Sequence, residues 1–409
     1  MSRVTSNLAL VAGVVASVVA AAAGPAAAGG FALAEQTITA AGTGGAGAAR
    51  DDEAGAAWSN PAALADDGGW RLGAGLVLAR PRITARGETD DGPWQAETEN
   101  PWATPPHLDV AWARGRLAVG VAAGVPFGGG VAWPVDWQGR FEIVRSRLEV
   151  FRVAPFAAWD LGRVRVGGGV HVDRGRLRVA RQMDFIDMEG DVAIDVAGTG
   201  VGVHLAAWAA ATPEVAVGLT YKSRTRVAMA GGADFSVPDA FAGRTPDQEA
   251  SATITLPDRV VAGARWRRGR WTALADLELT AWGTYRELVI DFAQDQTPDV
   301  RQATRWRTTL AARAGGELQV SPRVVARAGA AHDPSPAPDE TLGASSPDAT
   351  RTALTAGASL AVSRSFTVDA FAEYLRLAER DTLGVESMAA TYRGRATFVG
   401  VGVRWTRAD

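Results

Sequence analysis

Apolar and polar residues alternate along this chain from about Trp70 to the C-terminus. In residues 117–125 the odd-numbered positions are mainly Leu and Val, whereas the even-numbered positions are Ala and Gly. A period of two places successive side chains on opposite faces of a β-strand, so one face is apolar and the other is small or polar. The same alternation recurs at 164–173, 215–222 and 399–405. The pattern predicts an all-β protein.

Short and long breaks follow one another between the alternating runs. The short breaks span three or four residues and lie at 113–116, 160–163, 211–214, 267–270, 320–323 and 363–365. The long breaks carry Pro, Gly, Asp and charge and lie at 87–105, 126–147, 232–248, 332–349 and 383–392. Short turns on one side and long loops on the other are typical of a transmembrane β-barrel.

The runs between the breaks predict about fourteen antiparallel strands, an even number as in bacterial single-chain barrels. They span 69–86, 106–114, 116–125, 148–160, 163–181, 192–211, 213–231, 249–268, 270–291, 302–320, 321–331, 350–363, 365–382 and 393–407. With the short turns in the periplasm, both chain ends are periplasmic and the long segments face outside. A soluble sandwich or propeller also alternates, so this class stays open on the pattern alone.

Tryptophan is unusually frequent, with 14 residues against 4 Tyr. Eight indoles fall near predicted strand ends, at Trp70, Trp112, Trp159, Trp208, Trp266, Trp271, Trp306 and Trp405. Indoles at strand ends are typical of the aromatic girdle where a barrel meets the membrane–water interface. Core packing in a soluble β protein is the other interpretation.

The N-terminus has the features of a secretory signal peptide. Arg3 precedes an apolar stretch at 8–23, and Ala26-Ala27-Ala28 is a small-residue cleavage pattern. No later stretch offers the ~20 uninterrupted apolar residues that a membrane helix requires. We therefore expect an exported protein in the bacterial outer membrane, divided into a signal peptide (1–28), an N-terminal hatch (29–68) and a barrel (69–409).

The hatch segment is rich in Ala and Gly and does not alternate. A barrel of about fourteen strands is wide enough to hold such a segment, so we expect it to plug the lumen. Residues 42–47 formally match G-x-G-x-x-G, but no strand precedes them and no βαβ unit follows. We interpret these glycines as part of a tightly folded plug.

The composition of the chain excludes several kinds of binding and catalytic chemistry. A formal net charge of −3 gives no bulk attraction to nucleic acid, and the absence of Cys excludes thiolate catalysis, disulfides and Cys-based metal sites. The four histidines show neither metal-type spacing nor a Ser-His-Asp signal, at His107, His171, His204 and His332. We expect no catalytic residue, no metal site and no cofactor.

Several short motifs resemble one known family. Residues 30–36, a Gly/Ala stretch and then Asn60-Pro61-Ala62 are similar to the N-terminal hatch of the FadL/TodX family of outer-membrane transporters for long-chain fatty acids and other hydrophobic compounds. Further matches follow in order, at 126–128, 136–137, 221–223, 256–258, 276–278 and 327–329. The resemblance implies a fourteen-stranded, monomeric barrel embedded in outer-membrane lipid, with a hydrophobic small molecule as substrate.

The resemblance also implies a route for the substrate through the protein. Substrate is captured at the extracellular loops, the hatch rearranges, and substrate leaves through the barrel wall at a kink in the third strand. Capture candidates are Trp133, Trp137 and Phe141, because exposed apolar groups commonly mark binding surfaces. Packing of the loops against the barrel rim explains these three residues equally well.

The hatch candidates are Phe31, Glu35, Asn60, Pro61 and Ala62, and the candidates for the lateral opening are Pro126, Phe127 and Gly128. Proline lacks an N–H and glycine weakens strand pairing, which supports an opening there, although the start of a long loop explains the same residues.

A ligand carboxylate would pair with a guanidinium group, for which Arg174 and Arg176 are candidates. Charge balance inside the lumen is the other reason for these arginines. Two further functions stay open, namely a lipase-like barrel enzyme and a general diffusion porin. A plugged lumen argues against the porin.

Overall fold

The computed structural model describes residues 29–66, 68–185, 188–239, 241, 243, 245–383 and 388–407. The strands are β1 Gly69–Thr89, β2 Gly92–Glu97, β3 Pro106–Arg114, β4 Leu117–Ala132, β5 Arg145–Asp160, β6 Arg165–Asp184, β7 Glu189–Ala210, β8 Val215–Lys222, β9 Thr225–Ser236, β10 Gln248–Leu256, β11 Arg259–Arg268, β12 Trp271–Thr280, β13 Glu287–Phe292, β14 Val300–Ala303, β15 Thr309–Ser321, β16 Val324–Asp333, β17 Arg351–Ala361, β18 Phe366–Asp381 and β19 Thr391–Arg407. Short helical turns are Ile38–Ala41, Ala56–Ser59, Pro61–Leu64, Trp282–Thr284 and Asp339–Thr341.

These strands form a closed antiparallel barrel. β1 pairs with β19 from Trp70 opposite Arg407 to Arg86 opposite Thr391, which closes the sheet. Five pairs of consecutive segments each continue one another along the wall, so the barrel has fourteen strands in the membrane sense: β2 with β3, β8 with β9, β10 with β11, β12 with β13, and β14 with β15. The predicted all-β barrel with an inner hatch is confirmed.

Two strands run further than the alternation predicts. The loop expected at 87–105 contains β2, which extends a hairpin with β1 above the barrel. β4 continues to Ala132 rather than ending at 125. Its pairing register with β5 shifts by one residue between Gly124 and Phe127, so the strand passes through a bulge and pairs again beyond it. Pro126 lies in this bulge, where its missing N–H costs no ladder hydrogen bond.

The inner wall has two zones of different polarity. Near the long loops the buried inward side chains are apolar and define the upper compartment, lined by Val150, Leu177, Val192, Ile194, Val196, Val227, Met229, Ile254, Leu256 and Ile290. Nearer the short turns they include many charged groups and define the ionic layer, with Asp109, Arg265, Asp276, Glu278, Arg313, Glu317, Arg327 and Asp369. The outer wall carries the exposed apolar side chains that face lipid.

Residues 29–66 lie inside the barrel, against the inner wall. Wall glycines allow this contact: a Cβ added at Gly218 would overlap the carbonyl oxygen of Ala48, and one at Gly315 would lie 2.5 Å from the carbonyl oxygen of Thr43. The hatch backbone therefore touches the wall where the wall has no side chain.

Three members of the expected tryptophan girdle are exposed at the short-turn end, and two predicted members are elsewhere. Trp70, Trp159 and Trp271 are exposed beside the short turns. Trp208 instead points inward and donates from Nε1 to the carbonyl oxygen of Ala49 at 3.1 Å, and Trp306 is buried inside. No helix in the described part of the chain is long and apolar enough to cross a membrane. The predicted signal peptide lies outside the described residues.

Candidate functional site

The first eight described residues, 29–36, form an arm that pairs with β4 at its bulge. Ala32 and Phe127 form an antiparallel bridge. The Leu33 N–H donates to the carbonyl oxygen of Pro126 at 3.0 Å, and the Gly128 N–H donates to that of Phe31 at 2.8 Å. The predicted Pro126, Phe127 and Gly128 are thus the wall residues that the hatch contacts here.

The arm occupies an interruption in the wall. β4 pairs with β3 only as far as Ala123 opposite Leu108, and residues 98–105, which join β2 to β3, bridge to β1 and form no ladder with β4. The adjacent edge of β4 therefore presents backbone groups without a strand partner, which need hydrogen bonds from elsewhere. The arm supplies them, and Gln36 adds a side-chain hydrogen bond to the carbonyl oxygen of Val125 at 2.9 Å.

An aromatic cage holds the tip of the arm. The ring centroid of Phe31 lies 5.9 Å from Phe127, 4.7 Å from Trp282, 5.6 Å from Tyr285 and 5.4 Å from Trp306. Most of these contacts are edge-to-face, the arrangement that ring quadrupoles favour. The cage joins the arm, the wall bulge and the segment between β12 and β15 in one contact.

Below the cage, Phe127 lies between two guanidinium groups. Arg152 is 5.9 Å and Arg259 5.7 Å from its ring centroid. Arg152 binds Asp173 through two hydrogen bonds of 2.7 and 2.8 Å, and Arg259 binds Glu278 at 2.5 Å. Phe127 therefore marks the border between the upper compartment and the ionic layer.

The remaining hatch, residues 37–66, is anchored by polar contacts to the ionic layer. Asp276 Oδ2 accepts from the N–H groups of Gly47 and Ala48 at 2.8 and 2.9 Å. Arg50 binds Glu317 at 2.8 Å, and the electrostatic attraction of its acidic neighbours, which outweighs the opposing effect of burial, raises the pKa of Arg50. These contacts come from strands on the side of the barrel opposite the bulge.

The Asn60-Pro61-Ala62 motif has a structural position in this anchored part. Asn60 is fully buried and donates from Nδ2 to the carbonyl oxygens of Ala48 at 2.7 Å and Ala207 at 2.9 Å. Its Oδ1 accepts from the Ala62 N–H at 3.2 Å and caps the turn Pro61–Leu64. One side chain thus joins the hatch turn, the hatch backbone and the wall.

Glu35 lies in the arm beside a small cavity of about 40 Å³ that Arg313, Asp333, Arg351 and Glu373 also line. Burial raises the pKa of Glu35 above its usual range, and the nearby Arg313 and Arg351 oppose that shift. A second cavity of about 60 Å³ lies on the other side of the arm and is lined by polar groups of the ionic layer. Both cavities adjoin the arm.

The predicted capture residues are mostly covered. Trp133 and Trp137 stack at 4.6 Å and are buried in the cluster that forms the upper compartment. Their Nε1 atoms donate to the carbonyl oxygens of Ala344 at 3.1 Å and Ile143 at 2.7 Å. Phe141 is half-buried. The two indoles are therefore part of the buried apolar cluster and do not lie on an open surface.

The structure places Arg174 and Arg176 on the outer face of the barrel. Both are exposed, whereas Asp173 and Leu177 beside them point inward. Arg176 forms an ion pair with Asp195 on the neighbouring strand. Neither can meet a ligand inside the lumen. The guanidinium groups at the lumen border are Arg152 and Arg259, which the sequence reasoning missed although both occupy inward positions.

No three His, Asp or Glu residues among the described side chains gather as metal ligands would. His171 is fully buried, 3.0 Å from Thr225 Oγ1 and 3.7 Å from Asp173 Oδ2.

A closed barrel with a hatch in its lumen is the architecture of an outer-membrane transport protein. Residues 19–406 match the family model described as outer membrane protein transport protein (OMPP1/FadL/TodX). The chain belongs to this family, and its predicted place in the outer membrane is confirmed.

Solved structures share the fold. A Pseudomonas aeruginosa FadL homologue is 18% identical with a TM-score of 0.83, covering 92% of this chain and 99% of its own. The CymD monoaromatic hydrocarbon channel is 21% identical with a TM-score of 0.71, covering 93% and 99%. The Pseudomonas putida toluene transporter TodX is 16% identical with a TM-score of 0.68, covering 91% and 98%. Among curated protein sequences, none matches this chain.

Proposed function

We propose that this chain carries small hydrophobic molecules passively across the outer membrane, from the extracellular loops into the upper compartment and then sideways into the membrane at the β4 bulge. The observation that carries this proposal is the pairing of the arm with β4 at 126–128. The wall is interrupted there, and the arm fills the gap.

The polarity of the upper compartment indicates the class of substrate. Apolar side chains line the upper compartment, so a transported molecule gains by leaving water there. Two similar structures are described as a monoaromatic hydrocarbon channel and a toluene transporter, and a third as a FadL homologue. These support hydrocarbons or fatty acids as substrates, transported by diffusion through a monomeric barrel.

The arm is the part of the hatch that moves in this proposal. It is held by three hydrogen bonds to β4, by the cage around Phe31, and by Arg351 and Asp333, which form hydrogen bonds with the backbone of residues 29–32. Several buried ion pairs hold residues 37–66. A hydrogen bond contributes roughly 0.5–1.5 kcal/mol net, so releasing the three bonds to β4 costs a few kcal/mol, and release from Arg351, Asp333 and the cage adds to that cost. An apolar ligand that replaces Phe31 in the cage offsets part of that cost.

A general diffusion porin has less support. The hatch fills the lumen and its backbone touches the wall, which leaves small cavities instead of an aqueous channel in the described part. The lipase-like alternative has no observation in its favour.

A reversible cross-link tests the proposal, since the chain has no Cys of its own. The double variant Ala32→Cys/Phe127→Cys joins two directly opposed bridge residues, and Ala54→Cys/Gly73→Cys joins the anchored hatch to the wall across 3.3 Å between Cβ positions. Uptake of a labelled aromatic hydrocarbon and a labelled fatty acid is measured in cells before and after reduction.

We expect the oxidised arm variant to take up substrate no faster than cells without the protein, and reduction to restore its uptake. The anchored variant is expected to transport equally in both states. Equal uptake by the oxidised and reduced arm variant would refute a moving arm.

A further inference from the structure

A row of arginines crosses three neighbouring strands on the outer face of the barrel. The pairing register sets Arg82 of β1 opposite Arg395 of β19, and Arg395 opposite Arg376 of β18. The adjacent inward residues Ile83, Ala396 and Leu375 are buried, so the three guanidinium groups project from the outside of the wall. Two further outward arginines adjoin them, Arg80 and Arg393. We call these five residues the arginine row.

The arginine row lies at the extracellular border of the apolar band. On the same face and strands, towards the short turns, the exposed side chains are apolar and include Leu76, Leu78, Tyr374, Val399 and Val401. Successive outward residues are about 7 Å apart along a strand, so the first arginine directly follows the last leucine. The row therefore lies at the depth where lipid chains end and head groups begin.

An indole adjoins the row at this depth. Trp102 is 50% exposed, and the guanidinium of Arg80 lies 5.5 Å from its ring centroid. Exposed indoles of this kind favour the membrane–water interface, where the ring meets lipid and the polar edge meets water.

The positive charge of the row is largely uncompensated. Arg82 pairs with Glu97 at 3.5 Å, but no described residue forms an ion pair with Arg376, Arg393 or Arg395. Like charges in directly opposite cross-strand positions repel each other and destabilise the sheet. A bound anion with several negative charges would remove that repulsion.

A second outward cluster on β5–β7 shows the contrast. Arg147 pairs with Glu149 at 2.7 Å, Arg178 with Glu149 at 3.5 Å, and Arg176 with Asp195. The protein neutralises this cluster with its own carboxylates, so it does not need an external anion. Both clusters consist of arginines on the extracellular side of the barrel. Carboxylates of the protein neutralise the second cluster but leave most of the arginine row unpaired.

We propose that the arginine row binds the phosphate groups of a phosphorylated lipid in the outer leaflet, with the acyl chains of that lipid lying along the apolar band beneath. Guanidinium groups bind phosphate through paired hydrogen bonds and remain charged at every physiological pH. The row offers several such forks side by side at head-group depth, where basic clusters attract anionic lipid. This site is separate from the transport path inside the barrel.

Binding of lipid A to purified protein tests the site. The row variant is Arg376→Gln/Arg393→Gln/Arg395→Gln, and the matched control is Arg147→Gln/Arg176→Gln/Arg178→Gln. Diphosphoryl lipid A, its dephosphorylated form and inorganic phosphate are each titrated in detergent, with bound lipid counted by native mass spectrometry. A difference in gel migration between unheated and heated protein checks that each barrel is folded.

We expect the row variant to bind diphosphoryl lipid A about tenfold more weakly, and the control to bind like the unaltered protein. Dephosphorylated lipid A is expected to bind all three proteins equally weakly. An Arg→Lys triple variant at the row keeps the charge without the fork and is expected to retain intermediate affinity.

Three results would overturn the proposal. These are equal binding by the row variant and the unaltered protein, equal losses in the row and control variants, and inorganic phosphate competing as well as the lipid. The last result would indicate a site for free phosphate. If the glutamine variant does not fold, the lysine variant decides, because full or absent affinity in it contradicts recognition by guanidinium forks.

Discussion

At the scale of single residues, Asp276 is the side chain that ties the hatch backbone to the wall. One of its oxygens accepts two backbone hydrogen bonds, from Gly47 and Ala48. Asp276→Ala leaves two buried N–H groups without partners, at roughly 1–3 kcal/mol each. We expect this variant to loosen the hatch, which planar-bilayer recordings would detect as a higher ion conductance.

Asp276→Asn is the control for this prediction. The amide oxygen can accept the same two hydrogen bonds, so its conductance should stay near that of the unaltered protein. A conductance in Asp276→Ala that stays unchanged would contradict a tether at this position.

The raised pKa of Glu35 predicts how the stability of arm docking depends on pH. Because burial raises its pKa above the ordinary 4.5, the docked arm holds the proton more tightly than an undocked arm does. Docking is therefore most stable at low pH and weakens as pH rises from about 4.5 through the raised value. The charged groups facing it are Arg313, Asp333, Arg351 and Glu373.

The measurement is maleimide labelling of an Ala34→Cys variant between pH 5 and pH 8, corrected for the reactivity of a free thiol. We expect corrected labelling to rise with pH and Glu35→Gln to remove that rise, since glutamine stays neutral. Labelling that falls with pH would reverse the assigned sign.

At the scale of elements, the bulge in β4 makes the wall interruption possible. Gly124 pairs with Arg152 and Phe127 with Val150, so two residues of β4 lie opposite one residue of β5 at Val125-Pro126. Deleting Pro126 restores a single register and an unbroken alternation of inward and outward side chains. We expect the wall to straighten, arm pairing to weaken and substrate uptake to fall.

Deletion of Asp91 in the turn between β1 and β2 serves as the matched one-residue control, because it lies outside the barrel wall. Its uptake should match that of the unaltered protein. Normal uptake without Pro126 would separate the bulge from transport.

The alternation in the sequence was sufficient to predict the number of wall strands and most of their extent, since a two-residue period and short turns are local properties. The same alternation also carried a signal that was overlooked. Arg174 and Arg176 share even numbering with Val170 and Val172 on the apolar face, so both had to point outward. The interruption beside β4 could not be predicted, because it depends on which backbone groups pair across distant segments.

At the scale of the whole molecule, we expect the division of the lumen into an apolar and an ionic zone to determine which molecules bind. The double variant Val196→Thr/Val227→Thr keeps side-chain shape but adds two hydroxyl groups to the fully buried wall of the upper compartment. Burying such groups beside an apolar ligand costs on the order of 1 kcal/mol, so we expect roughly fivefold weaker binding of an aromatic hydrocarbon.

Tryptophan fluorescence reports this binding, and Val77→Thr is the matched control. Val77 is equally buried but packs with Ile38 of the hatch in a separate cluster. Equal affinity in the double variant and the control would contradict binding in the upper compartment.

The glycines of the inner wall have a consequence for the history and the assembly of this chain. Gly218 and Gly315 lie against hatch backbone atoms that leave no room for a methyl group. A larger residue at either wall position therefore requires a simultaneous change in the hatch backbone that faces it, so the two segments must evolve together. During assembly, the hatch backbone can reach its place only against wall positions without a side chain, so a larger residue at Gly218 or Gly315 is expected to keep the hatch from docking.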